Sequence, residues 1–510
     1  MTEYNTKTGM IMKKTIYKLA AACMCVLFAS ACTSDALDTA PAGQLPGDVI
    51  FSDPDKAQSA VNGIYRLMYS NGWSNGWEHE NPGLAGFTIV RSIMGEDHSM
   101  AAQGQGWFYF DYVFNVASDW TSTAGRQYAT WNLFYTLISQ ANYVTDHYDT
   151  LSESPKGNYV LGQAYAIRAF SYYCLYESFC QGNYTANKDY PGVPVYTTGT
   201  NNNTKGVGRG TIEDLFVQIN KDFQASVDCF EAANVEQESI TNIDGYAAYA
   251  LWARASLGQQ NYEQARYCAE EALKKPGLTR VATLAELGNF NTASVSDVMW
   301  AFEVPTDQAS PYGGFFSHLD EDGGYGSRAP MCIDYWLYED GMADNDLRRG
   351  WAKRKTSGRS YFYQQTKFRY KNLATAEGDL INIRAEEMLL TLAECECRAG
   401  NYTVARELLG ELYAQRYDGE RDIESLADSS TVSLDTASDP VTLIDEILLQ
   451  RRIELWCEGM GRVPDLRRLN LGYYRSDGTE MRPNDQSFIL YIPQAEFDSN
   501  PALDLAVDQN

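Results

Sequence analysis

The side chains best suited to hold a ligand fall in two aperiodic stretches. The first, Ser70 to Asp111, is rich in Gly and Asn and contains Trp73, Trp77, Phe87, Trp107, Phe108 and Tyr109. The second lies in a long excursion, Thr279 to Leu380, and holds Tyr312, Phe315, Phe316, His318, Tyr325 and Trp336 around Gly313 and Gly314. Flat aromatic faces can cover the apolar face of a ligand, while carboxylates, amides and guanidinium groups bond a hydroxyl-bearing rim. On that chemistry the stacking candidates are Trp73, Trp77, Trp107, Tyr312, Phe315 and Trp336. The hydroxyl-bonding candidates are Asn81, Asp97, Asp320 and Arg328. Each aromatic also has a plainer use, packing its own loop. Loops this long in a compact protein are usually functional.

Other chemistries are less well supported. His79, His98, His147 and His318 form no close-spaced pair and no H-E-x-x-H. Gly95-Glu96-Asp97-His98 could contact a cation but reads more readily as solvated loop charge. No G-x-S-x-G occurs. A glycosidase needs two carboxylates at a set separation, which 67 acidic residues neither establish nor exclude. Gly206-Val207-Gly208-Arg209-Gly210 lacks the strand and lysine of a phosphate loop. With Thr211-Ile212-Glu213-Asp214 behind it, it reads as a flexible loop entering a capped helix. The Arg- and Glu-rich segment 445–468 reads as structural ion pairs, along and between helices. No C-x-x-C pair exists, and Cys395 and Cys397 diverge on a predicted helix. The eight cysteines after Cys32 read as buried free thiols rather than disulfides. No cofactor, metal or catalytic residue is assigned.

The chain of 510 residues has 41 Lys+Arg against 67 Asp+Glu, a net charge of −26. That argues against nucleic acid as a partner, because binding phosphate needs basic patches. With 44% hydrophobic and 21% charged residues the composition is globular. A mean hydropathy of −0.38 leaves no room for a polytopic membrane protein. At the N-terminus Lys13, Lys14 and Lys18 precede the apolar run Leu19 to Ala31, which is too short to span a bilayer and has the length of a signal-peptide core. Met12 is the candidate start, so the signal spans 12–31. Ala29-Ser30-Ala31-Cys32 resembles the lipobox of bacterial lipoproteins, which implies cleavage before Cys32 and its acylation. Several acyl chains on Cys32 give stable anchoring. A plain signal peptide with a free Cys32 is the competing reading. Loss of residues 1–31 removes four lysines and one glutamate. The remaining surface is repelled by anionic lipid, and the small, polar segment 32–48 reads as a tether.

The elements that must position these residues are helical. Asp53-Pro54 starts a helix whose stripe is Ala57, Ala60, Val61, Ile64, Tyr65 and Met68. Helices are predicted over 127–148, 158–179 and 211–232, the last two as a pair. Asn261-Tyr262-Glu263-Gln264-Ala265-Arg266 recurs as Asn401-Tyr402-Thr403-Val404-Ala405-Arg406. Ala253, Ala265 and Ala272, then Ala393, Ala405 and Leu412, fall at the close-packing positions of tetratricopeptide units. The fold class expected is mainly α, a tetratricopeptide-like helical-pair scaffold with long irregular loop excursions and a few short strands, one at Val298–Val304. The organisation expected is one domain over 49–510, with an N-terminal part 49–235, a C-terminal part 236–510 and a loop insertion 279–380.

Ordered segments along the mature chain resemble the SusD/RagB family of Bacteroidetes surface lipoproteins. They are Cys32 with Leu37-Asp38, Pro41 and the 57–68 helix, then Arg168-Ala169-Phe170 and Tyr190-Pro191-Gly192-Val193-Pro194. Arg384-Ala385-Glu386-Glu387 through Glu394 and Gly400 follow. The best match is Asp445-Glu446-Ile447-Leu448, Arg451-Arg452-Ile453-Glu454-Leu455, Glu458-Gly459, Arg462 and Asp465-Leu466. Ile492-Pro493, Glu496 and Asn500-Pro501 resemble the closing segment. Gly459-Met460-Gly461 is looser than the family's usual junction. The resemblance implies a non-catalytic lipoprotein on the outer face of the outer membrane. It would capture an oligosaccharide or polysaccharide and pass it to a SusC-type TonB-dependent transporter. A RagB-like peptide binder, a surface glycoside hydrolase and a pure adaptor remain the alternatives.

Overall fold

Capping residues set where the helices begin. Asp53 accepts the amide of Asp55 and Pro54 takes the first helical position, so α1 runs Pro54–Met68 and buries Ala57, Val61, Ile64, Tyr65 and Met68. The computed structural model describes residues 47–73, 78–100, 107–114, 121–201, 203–355, 362–433 and 440–509. Residues 51–510 form one compact unit and residues 1–50 another, of which only 47–50 are described. The lipobox and Cys32 lie outside the described residues.

The stretch expected to be loop from Ser70 to Asp111 contains a helix, α2 (Gly83–Ile93), followed by the short strand β1 (His98–Met100). Every residue of α2 except Thr88 is buried. A helix covered on all sides has no polar face, so the sequence shows no 3.6-residue period there. Next come α3 (Gly125–Thr145) and α4 (Pro155–Phe179), the latter capped by Ser154. The Thr211–Asp214 capping box forms as expected and opens α5 (Ile212–Ala233). α4 and α5 pack as a pair. Gly162 lets them approach, since a Cβ there would touch the Phe230 ring at 3.0 Å.

The hexamer repeat marks two further helix pairs, α6 (Gly245–Gly258) with α7 (Tyr262–Ala272) and α8 (Ala385–Arg398) with α9 (Tyr402–Arg416). Ala253, Ala265, Ala272, Ala393, Ala405 and Leu412 are all fully buried. Between the pairs lies the excursion with β2 (Val298–Phe302), β3 (Met331–Ile333), β4 (Ala352–Lys355), β5 (Phe362–Gln365) and β6 (Leu380–Arg384). β1, β3, β5 and β4 form an antiparallel sheet in that order, with His98 opposite Ile333 and Ile333 opposite Tyr363. β2 pairs with β6 across an irregular register. α10 (Leu443–Glu454), α11 (Val463–Arg468) and the hairpin β7 (Tyr473–Tyr474) and β8 (Glu480–Met481) follow.

The core is cross-linked by buried ion pairs. Glu454 on α10 accepts from Arg416 of α9 at 2.9 and 3.0 Å, from Arg384 at 3.2 Å and from Arg348 at 3.2 Å. Arg384 also binds Glu458 at 2.7 Å, and buried Lys367 donates to the Glu454 carbonyl at 2.8 Å. Arg468 donates to both Glu394 oxygens, at 2.6 and 2.7 Å, and to Asp465 at 2.7 Å. The segment 445–468 is therefore structural, as its spacing suggested, but its charges are buried. All eight cysteines after Cys32 are buried free thiols.

Burial alone would raise the Glu394 carboxyl, but the Arg468 and Arg398 guanidinium groups outweigh it and hold it at about 2. A carboxyl lowered in the fold contributes stability that is present above its ordinary value and lost as pH falls toward the lowered one. Glu394→Gln is therefore expected to cost about 3 kcal/mol at pH 7. In urea titrations the gap between the two proteins should narrow from pH 5 to pH 2.5; a gap independent of pH would refute this assignment.

Candidate ligand-binding site

A cleft of about 1110 Å³ opens between the loop after β3 and the β7–β8 hairpin, with α10 beneath it. On one side the chain leaves the buried strand β3 through Asp334 and enters one wide helical turn, Leu337–Gly341. Leu337 is buried and anchors the turn, leaving Trp336 43% exposed. Tyr335 meets the Trp336 ring edge-on, with centroids 5.2 Å apart. Tyr338 stacks on Tyr363 of β5 at 3.8 Å, under the Arg349 guanidinium. On the other side, strand alternation turns Tyr473 and Met481 inward and Tyr474 and Glu480 outward. Tyr474 is 68% exposed. Arg475 fixes the hairpin to the end of α2, donating to the Gly95 carbonyl at 2.9 Å, the Tyr112 carbonyl at 2.6 Å and the Ile93 carbonyl. A cation is well placed at a helix C-terminus. Asp340 and Arg482 line the same cleft.

A second aromatic group forms where His79 and Trp107 meet the excursion. His79 stacks on Trp107 at 4.9 Å, and Tyr325 meets Trp107 edge-on at 5.7 Å. The Tyr325 hydroxyl lies 2.8 Å from His79 Nδ1, and Tyr312 lies 6.1 Å from Tyr325. His318 is buried beneath, donating from Nε2 to the His79 carbonyl at 2.7 Å. Burial holds the His318 imidazole down at about 3, so it is neutral. Tyr312 is the open face of this group, 62% exposed.

The ten candidate residues thus separate. Trp336 lines the large cleft, and Trp107 and Tyr312 share the second group. Arg328 is exposed. Trp73 is half-buried and donates to the Leu67 carbonyl at 3.2 Å. Phe315 packs edge-on to Phe316 and Phe368. Trp77 lies outside the described residues. Asn81 is buried and accepts from Arg126 at 2.7 Å. Asp320 accepts the Tyr370 amide at 2.8 Å and the Asp322 amide at 2.9 Å. Asp97 is buried and takes Arg452 at 2.6 and 3.0 Å.

The 95–98 segment is therefore not solvated loop charge. Glu96 receives Arg462 at 2.9 Å, the Gly95 carbonyl accepts from Arg475 and His98 packs on Trp456, so the four residues belong to the core. Among the described residues no group of three or more His, Cys, Asp or Glu could hold a metal. The residue missed on sequence is Tyr474. Its signal was the Asp477-Gly478 turn, which marks a hairpin whose strands alternate in and out.

Comparison with known proteins fits this architecture. Residues 90–257 match a SusD-like family described as starch-binding and associating with the outer membrane, and residues 334–507 match the SusD family. No curated protein sequence matches the chain. A SusD-like carbohydrate-binding protein from Bacteroides vulgatus superposes with a TM-score of 0.73 at 19% identity, over 88% of this chain and 97% of that one. A SusD superfamily protein from Bacteroides thetaiotaomicron gives 0.70 at 20% identity, over 90% and 99%. Surface glycan-binding protein A from Bacteroides uniformis gives 0.65 at 17% identity, over 90% and 99%. The fold is that of SusD superfamily structures, mainly helical with small sheets. The chain belongs to the SusD/RagB family.

Exposed site aromatics should be dispensable for folding. Trp336→Ala and Tyr474→Ala are each expected to change unfolding free energy by no more than about 0.5 kcal/mol. Leu337→Ala, which empties the anchor of the same turn, should cost about 2–5 kcal/mol by urea denaturation. Equal losses in all three would mean that the rings are part of the core.

Proposed function

We propose that this protein captures a glycan at the cell surface and passes it to a SusC-type TonB-dependent transporter, acting by binding and without turnover. Acylated Cys32 anchors it to the outer membrane, facing outward, with 32–48 as the tether. The observation that best supports a sugar ligand is the pair of exposed rings, Trp336 and Tyr474, on opposite walls of one cleft. Rings so placed can cover the C–H faces of a pyranose. Asp340, Glu480 and Arg482 are exposed at the same cleft and suit its hydroxyls. Tyr312, with Trp107 behind it and Arg328 exposed nearby in the chain, offers a second surface for a longer chain of sugars. Asn81, Asp97 and Asp320 already bond within the protein, so in this reading they shape the walls and do not contact ligand. The family description as starch-binding and associating with the outer membrane points the same way.

The test is affinity electrophoresis through gels cast with starch and with other plant and host polysaccharides, with a peptide mixture run in parallel by calorimetry. Retardation by one polysaccharide without its depolymerisation is expected. Trp336→Ala and Tyr474→Ala should each weaken it about tenfold, the equivalent of about 1.4 kcal/mol. Heat from peptides with no retardation by any polysaccharide would replace this reading with a RagB-like one. Depolymerisation would make the protein a hydrolase.

A further inference from the structure

One side chain buried behind the cleft bonds to residues of both of its walls. Asp334 follows β3 and is 1% exposed. Its Oδ1 accepts the backbone N–H of Trp336 at 3.0 Å. Its Oδ2 accepts the Ser476 hydroxyl at 2.6 Å and the Ser476 amide at 3.4 Å. Its own amide donates to the Asp97 carbonyl at 3.0 Å, which ties it to the core. Trp336 begins the turn that makes one wall, and Ser476 lies two residues beyond Tyr474 on the other. Two walls that differ so far in sequence therefore meet on a single carboxylate. Extending the capture reading, on which it rests, we propose that Asp334 is a positioning residue of the ligand cleft, whose carboxylate sets the spacing between Trp336 and Tyr474.

The chemistry of the group argues against a purely structural role. Burial raises the Asp334 carboxyl to about 6, although the bonds from Ser476 and Trp336 work against it, and Asp97 adds to the rise. Arg452 on α10 and Tyr112 also lie within its electrostatic reach. A folded-state value above the ordinary 3.8 means that the fold favours the neutral acid and that ionisation near neutral pH costs stability. The bonds from Ser476 and Trp336 nevertheless favour the ionised form, because protonation turns one oxygen into a donor and weakens it as an acceptor. The site thus keeps a charge the fold would be more stable without, and the clamp is tight at pH 7.5 and loosens toward pH 5.

Amide hydrogen exchange on the full chain tests this without any sugar. In Asp334→Asn, peptides covering 335–341 and 474–478 are expected to exchange at least tenfold faster at pH 7.5, with the rest of the chain unchanged. Its melting temperature should equal or exceed that of the wild type, because the buried charge is gone. After correction for intrinsic exchange, the wild type should loosen in the same peptides from pH 7.5 to pH 5, and the variant should not. Ser476→Ala, which spares Asp334, should loosen 474–478 and leave 335–341 protected. Unchanged exchange at both walls, or faster exchange throughout with a lower melting temperature, would overturn the proposal. If no polysaccharide gel retards the wild type, the capture reading fails and the exchange result still decides the role of Asp334. Where a gel does retard it, Asp334→Asn should bind at least fivefold more weakly at pH 7.5.

Discussion

The fold turns on one buried carboxylate, Glu454. Three guanidinium groups from distant parts of the chain, Arg348, Arg384 and Arg416, converge on it, and Lys367 caps the carbonyl behind it. Burying these charges is expensive, and apolar residues of the same volume would often serve stability as well. The ion pairs specify geometry instead. Arg416 comes from a repeat helix and Glu454 from the helix that closes the fold. Arg348 and Lys367 come from the excursion, so the irregular insert keeps one register against the helices. The sheet β1–β3–β5–β4 and the turn after β3 inherit that register.

The candidate cleft is a surface extension of this core. Arg452 follows Glu454 by two positions against the chain direction, bonds Asp97 and lines the cleft floor. Arg475 bonds three carbonyls around the end of α2 and orients the hairpin. The rings that reach solvent, Trp336 and Tyr474, each sit one residue from an anchored neighbour, Leu337 and Tyr473. A rigid core thus presents stiff, flat side chains, which lose little freedom on contact with a ligand.

What could be read from the sequence follows from where each signal is stored. Helix starts were legible because caps are local: Asp53-Pro54 and Thr211 to Asp214 each act within one turn. The small residues of the helix pairs were legible because they recur at a fixed spacing. α2 was not, because a helix buried on every side has lost the polar face that makes a period visible. The candidate site was legible only as composition. Excess aromatics in the excursions located Trp336, Tyr312 and Trp107, but nothing local distinguished these from Trp73 or Phe315, whose partners lie in other segments. Asp97 looked like a solvated acid because its partner, Arg452, is hundreds of residues away. Long-range ion pairing leaves no local mark.

The alternation of the β7–β8 hairpin separates two kinds of positions on one short ribbon. Tyr473, Arg475 and Met481 face the core and answer to packing. Tyr474, Glu480 and Arg482 face the cleft and answer only to whatever occupies it. Selection can therefore rewrite the second set without disturbing the first, by single substitutions that the fold does not register. On such a scaffold the exposed positions can diverge while the helical frame stays recognisable at identities near 20%.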